Sequence, residues 1–267
     1  MTGFSWQQLG AFTESLENLL SSGDKLEKFI AAGGRWVAPV LYNDVSAAAN
    51  EARLPELRDR LAGRATVGIW ANGIGSDPVA DAKAIAHLVS SHGLGFIILD
   101  LESWYAYPNG DSLKMPKLVA AMRQQFPLGT KAIGVSTNTL NDAMVWNGRG
   151  ADRLSFATHN VHVLPQWYVQ YKSTWTDPVA NMEWLSQHGF EDNFFAVETL
   201  DHRAVPAKYV HGTLEPTGVE GASLADGLAR LKEAQAYGYT KGLSLYLLER
   251  TSDADLELVS KSGLFVS

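Results

Sequence analysis

The chain has 267 residues, 46% hydrophobic and 19% charged, with a formal net charge of −7. That balance supports a large buried core, argues against disorder, and without a Lys/Arg cluster it argues against a nucleic-acid partner. The absence of cysteine excludes disulfides, thiolate metal sites, iron–sulfur clusters and a cysteine nucleophile.

Met1–Trp6 shows no basic region followed by an apolar one, so no secretion signal is expected. No apolar run approaches the ~18 residues of a membrane helix, and a soluble chain without a membrane span is expected. Phe12–Leu20 and Lys25–Ala32 read as helices that stop at Gly33-Gly34. They suggest a helical N-terminal extension over residues 1–34, ahead of a single domain over 35–267.

Eight short apolar runs then read as strands: Arg35–Leu41, Thr66–Trp70, Gly95–Leu101, Lys131–Thr137, Arg153–Thr158, Leu164–Val169, Asn193–Glu198 and Gly242–Leu247. Most are β-branched or aromatic and bounded by Gly, Asn, Asp or Pro. Helical patterns lie between them at Val79–Ser91, Leu113–Phe126, Asp177–His188, Leu224–Tyr237 and Asp253–Ser260. Asp77-Pro78 and Asp177-Pro178 read as N-caps followed by proline in the first turn. Strand–helix alternation implies a parallel sheet, and eight strands in a chain of this length imply a (β/α)₈ TIM barrel. The barrel is expected to be partly degenerate, because only His159–Val163 separates the fifth run from the sixth. An open doubly wound sheet is the competing fold, but the first run leads into Tyr42-Asn43-Asp44 without the glycine-rich loop such sheets carry.

The most informative run is Gly95-Phe96-Ile97-Ile98-Leu99-Asp100-Leu101-Glu102. Alternate residues of a strand share a face, so Phe96, Ile98, Asp100 and Glu102 point one way and Ile97, Leu99 and Leu101 the other. The second set is apolar and suits packing under outer helices. The first set becomes acidic at its end, which delivers two carboxylates to the C-terminal mouth of the barrel, where active sites of this fold sit. At about 6–7 Å between Cα atoms each acid disfavours ionisation of the other. A protonated acid beside an ionised one is what glycoside cleavage requires. The alternative is a strand end salt-bridged to a lysine.

Other run ends carry aromatics and amides: Tyr42, Trp70, Trp104, Tyr105, Asn138, His159, Trp167 and Tyr246. Sugars stack their C–H faces on rings and direct hydroxyls at polar groups, so these residues are candidates for a carbohydrate cleft. Their competing role is to plug the barrel. Asp44, Glu198 and Glu249 are further acids near run ends, with Glu198 a supporting or alternative catalytic carboxylate. His159-x-x-His162 and the His202/His211 pair fit no helical metal motif, so neither metal nor cofactor is expected. Asn72–Pro78 lacks the third glycine and the lysine of a phosphate loop, and no G-x-S-x-G elbow is present.

Phe96–Glu102 resembles the D-x-E strand of the lysozyme-like family 25 glycoside hydrolases, and Val163–Tyr171 resembles their later Trp-bearing strand. The D-x-E also resembles family 18 chitinases, whose longer acidic motif would place acids at Gly95 and Ile98. The resemblance implies cleavage of β-1,4 links beside an N-acetylated sugar, with Glu102 as general acid and Asp100 steadying the N-acetyl group or nearby positive charge. The first-strand acid of family 25 has no counterpart unless Asp44 serves, and Tyr246-Leu247-Leu248-Glu249 stands where its closing D-x-N would fall. Such barrels also resemble parts of phage lysins and tail proteins. Expected partners are thus a polysaccharide such as peptidoglycan, further copies of the chain, or phage tail proteins, with a virion or release from a host cell as the location. A non-catalytic carbohydrate-binding or structural subunit is the alternative to an enzyme.

Overall fold

A computed structural model describes residues 4–6, 8–72, 77–101, 114–138, 159–167, 196–201, 207–210, 213–216 and 240–264, with isolated positions between 225 and 236. Eight parallel strand positions close into a ring. Around it run β1 (Leu9–Thr13), β2 (Gly34–Tyr42), the paired segments β3 (Thr66–Val67) and β4 (Ile69–Asn72), β5 (Phe96–Asp100), β6 (Ala132–Asn138), β7 (His162–Trp167), β8 (Ala196–Asp201) and β11 (Thr240–Tyr246). Closure comes from β1, which pairs in parallel with β2 on one side and β11 on the other. A two-stranded antiparallel hairpin, β9 (Ala207–Val210) and β10 (Thr213–Pro216), stands between β8 and β11 in sequence. The described helices are α1 (Leu16–Ser21), α2 (Lys25–Ala31), α3 (Ala47–Leu61), α4 (Pro78–Ser91), α5 (Lys114–Gln125) and α6 (Asp253–Lys261), with a 3₁₀ turn at Leu248–Arg250.

The fold is the expected barrel, but its strands are counted differently. Leu9–Thr13 is a strand, not the lead-in to a helix, and it belongs to the ring. The helix starts only after Ser15, whose side chain caps it by accepting the Asn18 N–H. Counted from β1, the strand carrying Asp100 is therefore the fourth around the ring, not the third. β6 pairs directly with β7, and the expected strand Arg153–Thr158 falls between them in sequence. That run lies outside the described residues, as do Asp177–His188 and nearly all of Leu224–Tyr237. The Asp77 cap of α4 is as expected: its side chain accepts the N–H groups of Val79 and Ala80, with proline following.

Two apolar layers result. Inside the ring, Trp6, Phe12, Trp36, Val40, Trp70, Phe96, Ile98 and Leu164 form one cluster. Between strands and helices, Val37, Ile97, Leu99, Ile133, Val135, Leu243 and Leu245 meet Leu54, Leu57, Ile85, Val89, Val119 and Met122. The interior is rich in rings that meet edge to face: Trp36 stands 5.3 Å from Phe96 and 5.9 Å from Phe12, at 74° and 82°. Aromatics thus fill the lower barrel.

The seam between β1 and β11 is reinforced outside the sheet. Glu249 Oε1 accepts the backbone N–H groups of Glu14 and Ser15 at 2.8 and 3.0 Å. Arg250 pairs with Glu14, and Lys25 and Lys28 both reach Asp253. Burial pushes the Glu249 carboxyl above its ordinary value of 4.5, and hydrogen bonds to it, from its own backbone N–H and from those of Glu14 and Ser15 among others, hold it down only in part. The folded state therefore favours the protonated form. This group's contribution to stability is fullest below about pH 4.5 and falls as pH rises through the folded-state value. Glu249→Gln keeps an acceptor and removes the buried charge. It is expected to raise Tm relative to the wild type at pH 7 and to lose that advantage near pH 4. Thermal unfolding at both pH values checks this, and an equal difference at both would contradict it.

Candidate active site

The β5 segment has the alternation its sequence implies. Phe96 and Ile98 sit in the inner cluster, while Ile97, Leu99 and Leu101 sit in the outer one. Asp100 continues the inward face at the C-terminal end of the strand and is only 5% exposed. Glu102, its expected partner, lies outside the described residues, as do Trp104 and Tyr105.

Among the described residues, Trp70, Asn72 and Ser136 stand beside Asp100. Trp70 on β4 donates its indole N–H to Asp100 Oδ2 at 3.2 Å. Asn72 at the end of β4 and Ser136 on β6 lie opposite Asp100 in the two flanking ladders. Leu101 extends the ladder by donating its N–H to the Ser136 carbonyl at 2.9 Å. Ser136 is absent from the sequence-derived candidates, although its spacing from Gly134 offers a signal. A Cβ at Gly134 would press on Leu164 and Trp6 inside the ring, so position 136 shares the inward face, and Ser136 is buried there.

The other candidates divide. Tyr246, at the end of β11, is half-buried with its ring 5.7 Å from Trp70, so it joins the Asp100 group. Asp44 is linked to that group through Asn72, whose amide donates to Asp44 Oδ2 at 3.3 Å, while Asp44 Oδ1 accepts the Ser46 N–H at 2.8 Å. Asn138 and Trp167 occupy the C-terminal ends of β6 and β7, pairing with Gln166 and Leu200 respectively.

Three candidates are placed elsewhere. Tyr42 follows a register irregularity in β2 and turns to the helical layer, where its hydroxyl donates to Asp81 of α4 at 2.6 Å. Burial, then the bond to Asp81, pushes its phenol well above the usual tyrosine value. His159 precedes β7 and so stands at the N-terminal end of that strand, opposite the mouth. Its carbonyl accepts the Arg123 Nε–H at 2.6 Å, and burial lowers that guanidinium's affinity for its proton. Glu198 falls inside the described stretch of β8, opposite Leu243 and three residues before its last residue, Asp201.

Among the described residues, no group of three His, Asp or Glu side chains is placed to hold a metal ion. None of the described helices is long and apolar enough to cross a membrane. A groove of about 500 Å³ lies at the far end of the barrel, lined by Arg58, Thr66, His92 and Gly95. It opens where strands begin, away from Asp100.

No protein-family model matches the chain, and no curated relative matches it. Solved structures do. A family 18 chitinase from Pseudoalteromonas aurantia superposes with a TM-score of 0.64 at 12% identity, covering 96% of this chain and 99% of that one. The catalytic domain of a family 18 chitinase from the fern Peteris ryukyuensis gives 0.64 at 11% identity, over 97% and 99%. A chitinase from Bacteroides thetaiotaomicron gives 0.66 at 9% identity, over 97% and 96%. At these identities the likeness is one of fold alone: the chain has the TIM-barrel architecture that those chitinases share.

Proposed function

We propose that the chain is a glycoside hydrolase-like barrel acting on, or binding, a polysaccharide that contains N-acetylglucosamine. Asp100 carries the reading: a buried carboxylate on the inward face of a barrel strand, at the mouth, with a directed N–H on one oxygen. Burying an acid costs free energy unless it is hydrogen-bonded, and barrels of this type place their chemistry at that end. In this reading Glu102 is the general acid that protonates the leaving oxygen, and Asp100 steadies the N-acetyl group and the positive charge that develops beside it. The chitinase structures that share the fold support this sugar class.

The test is release of reducing ends from chitohexaose and from purified peptidoglycan. Glu102→Gln and Asp100→Asn are each expected to lower turnover by about a hundredfold, the effect of losing one proton donor or one charge partner. Cleavage by the wild type that survives unchanged in Glu102→Gln would remove the assignment.

A second reading has one observation in its favour. Ile98, where a family 18 motif would carry an acid, is fully buried among the interior rings. A barrel lacking that acid suits a glycan-binding subunit, for instance in a phage tail, that holds its ligand without cleaving it. Chitohexaose or peptidoglycan binding with no turnover would favour this over the enzyme.

A further inference from the structure

We infer that Trp70 is a positioning residue, whose indole N–H orients the Asp100 carboxylate for the N-acetyl group of the bound sugar. The inference rests on the sugar reading above, and it gives Trp70 a role other than a stacking platform. Trp70 is buried at 5% exposure, so its ring face is already covered by protein. Phe12 from β1 meets it edge to face at 5.4 Å and 81°, and Tyr246 from β11 does so at 5.7 Å and 73°. These contacts reach Trp70 from β1, which lies beyond β2 in the ring, and from β11, the strand after that. They fix the plane of the indole and hence the line along which its single N–H points.

That line ends on Asp100 Oδ2. An indole nitrogen can donate but not accept, so the contact has one polarity. It orders a carboxylate oxygen before any ligand arrives, which is how a preorganised site avoids reorganisation during the reaction. Through this bond the rings that lock Trp70 also set the orientation of the Asp100 carboxylate.

Trp70→Phe keeps an aromatic ring between Phe12 and Tyr246, removes the N–H and trims the indole to a single ring, so a packing loss must be separated from the lost bond. On chitohexaose we expect kcat to fall about tenfold, the weight of one hydrogen bond to a charged group, with KM within about twofold. A second arm separates positioning from packing. If Trp70 works through Asp100, then Trp70→Phe introduced into Asp100→Asn costs little more, whereas a packing defect adds its full loss again. Where the wild type binds chitohexaose without cleaving it, the same four proteins are compared by dissociation constant, with the same tenfold and non-additive pattern expected. A wild type that cleaves or binds, with Trp70→Phe equal to it or fully additive with Asp100→Asn, overturns the Trp70 role alone. A wild type that does neither with chitohexaose and with peptidoglycan overturns the sugar reading and the Trp70 role together.

Discussion

Gly10→Val is expected to yield no soluble folded protein, and Gly10→Ala to lower stability by about 3 kcal/mol or more, roughly 6–12 °C in Tm for a chain of this size. A Cβ at position 10 would lie 1.7 Å from Trp36 Cε2 and 2.1 Å from two further indole carbons. Trp36 cannot yield, because it is fully buried and held by Trp6, Phe12 and Phe96. The two residues are also direct partners in the β1–β2 ladder. The clash therefore forces apart one of the two pairings through which β1 closes the ring. Replacing the indole relieves it: Gly10→Ala combined with Trp36→Leu is expected to recover part of the loss, although the smaller side chain leaves a cavity. Thermal unfolding followed by circular dichroism measures all three. A Gly10→Ala protein within about 2 °C of the wild type, on the scale set above, would show that the interior is looser than these contacts imply.

The same pair explains why β1 is illegible in the sequence while β5 is plain. In Gly95–Glu102 one face is apolar throughout and the other ends in acid, so the period of two is written in polarity. In Leu9-Gly10-Ala11-Phe12-Thr13 both faces are buried, one by helices and one by the barrel interior. The alternation there is one of size, with Gly10 leaving room for Trp36, and hydropathy does not record it. A short apolar stretch followed by Glu14–Leu20 then merges with the helix. Losing β1 shifts the strand count by one, yet leaves the barrel recognisable because strand–helix alternation persists downstream.

The site is legible to a similar depth. Asp100, Trp70 and Tyr246 come together because Asp100 and Tyr246 end their strands, Trp70 lies two residues short of the end of β4, and the sequence pattern gives the phase of all three strands correctly. Tyr42 departs because an irregularity in β2 changes its phase, which no local pattern announces. His159 departs because the apolar run before it reads as its strand, whereas the strand it serves lies after it. An aromatic at a run's end is thus informative only when the run's direction and register are known.

The second large effect concerns a residue that no motif marks. Asn50, on α3, is 2% exposed and makes three hydrogen bonds with backbone groups. Its Oδ1 accepts the Leu16 N–H at 2.8 Å, and its Nδ2 donates to the carbonyls of Glu14 and Val40, each at 2.9 Å. One amide thereby ties the turn after β1 to the end of β2, at the same rim of the ring as Asp100. Only an amide fits, because the site presents one donor and two acceptors. Asn50→Ala removes all three of these hydrogen bonds to backbone groups and is expected to cost about 3 kcal/mol, with no pH dependence of its own. Asn50→Asp is nearly isosteric but aims a carboxylate oxygen at two carbonyls, and at pH 7 it is expected to cost more than the alanine. Protonation gives the introduced carboxyl one O–H donor, so the deficit of Asn50→Asp shrinks as pH falls. The order of the two variants in Tm should then reverse between pH 7 and pH 4. If Asn50→Asp tracks Asn50→Ala at both pH values, the polarity of this contact is not what holds the rim.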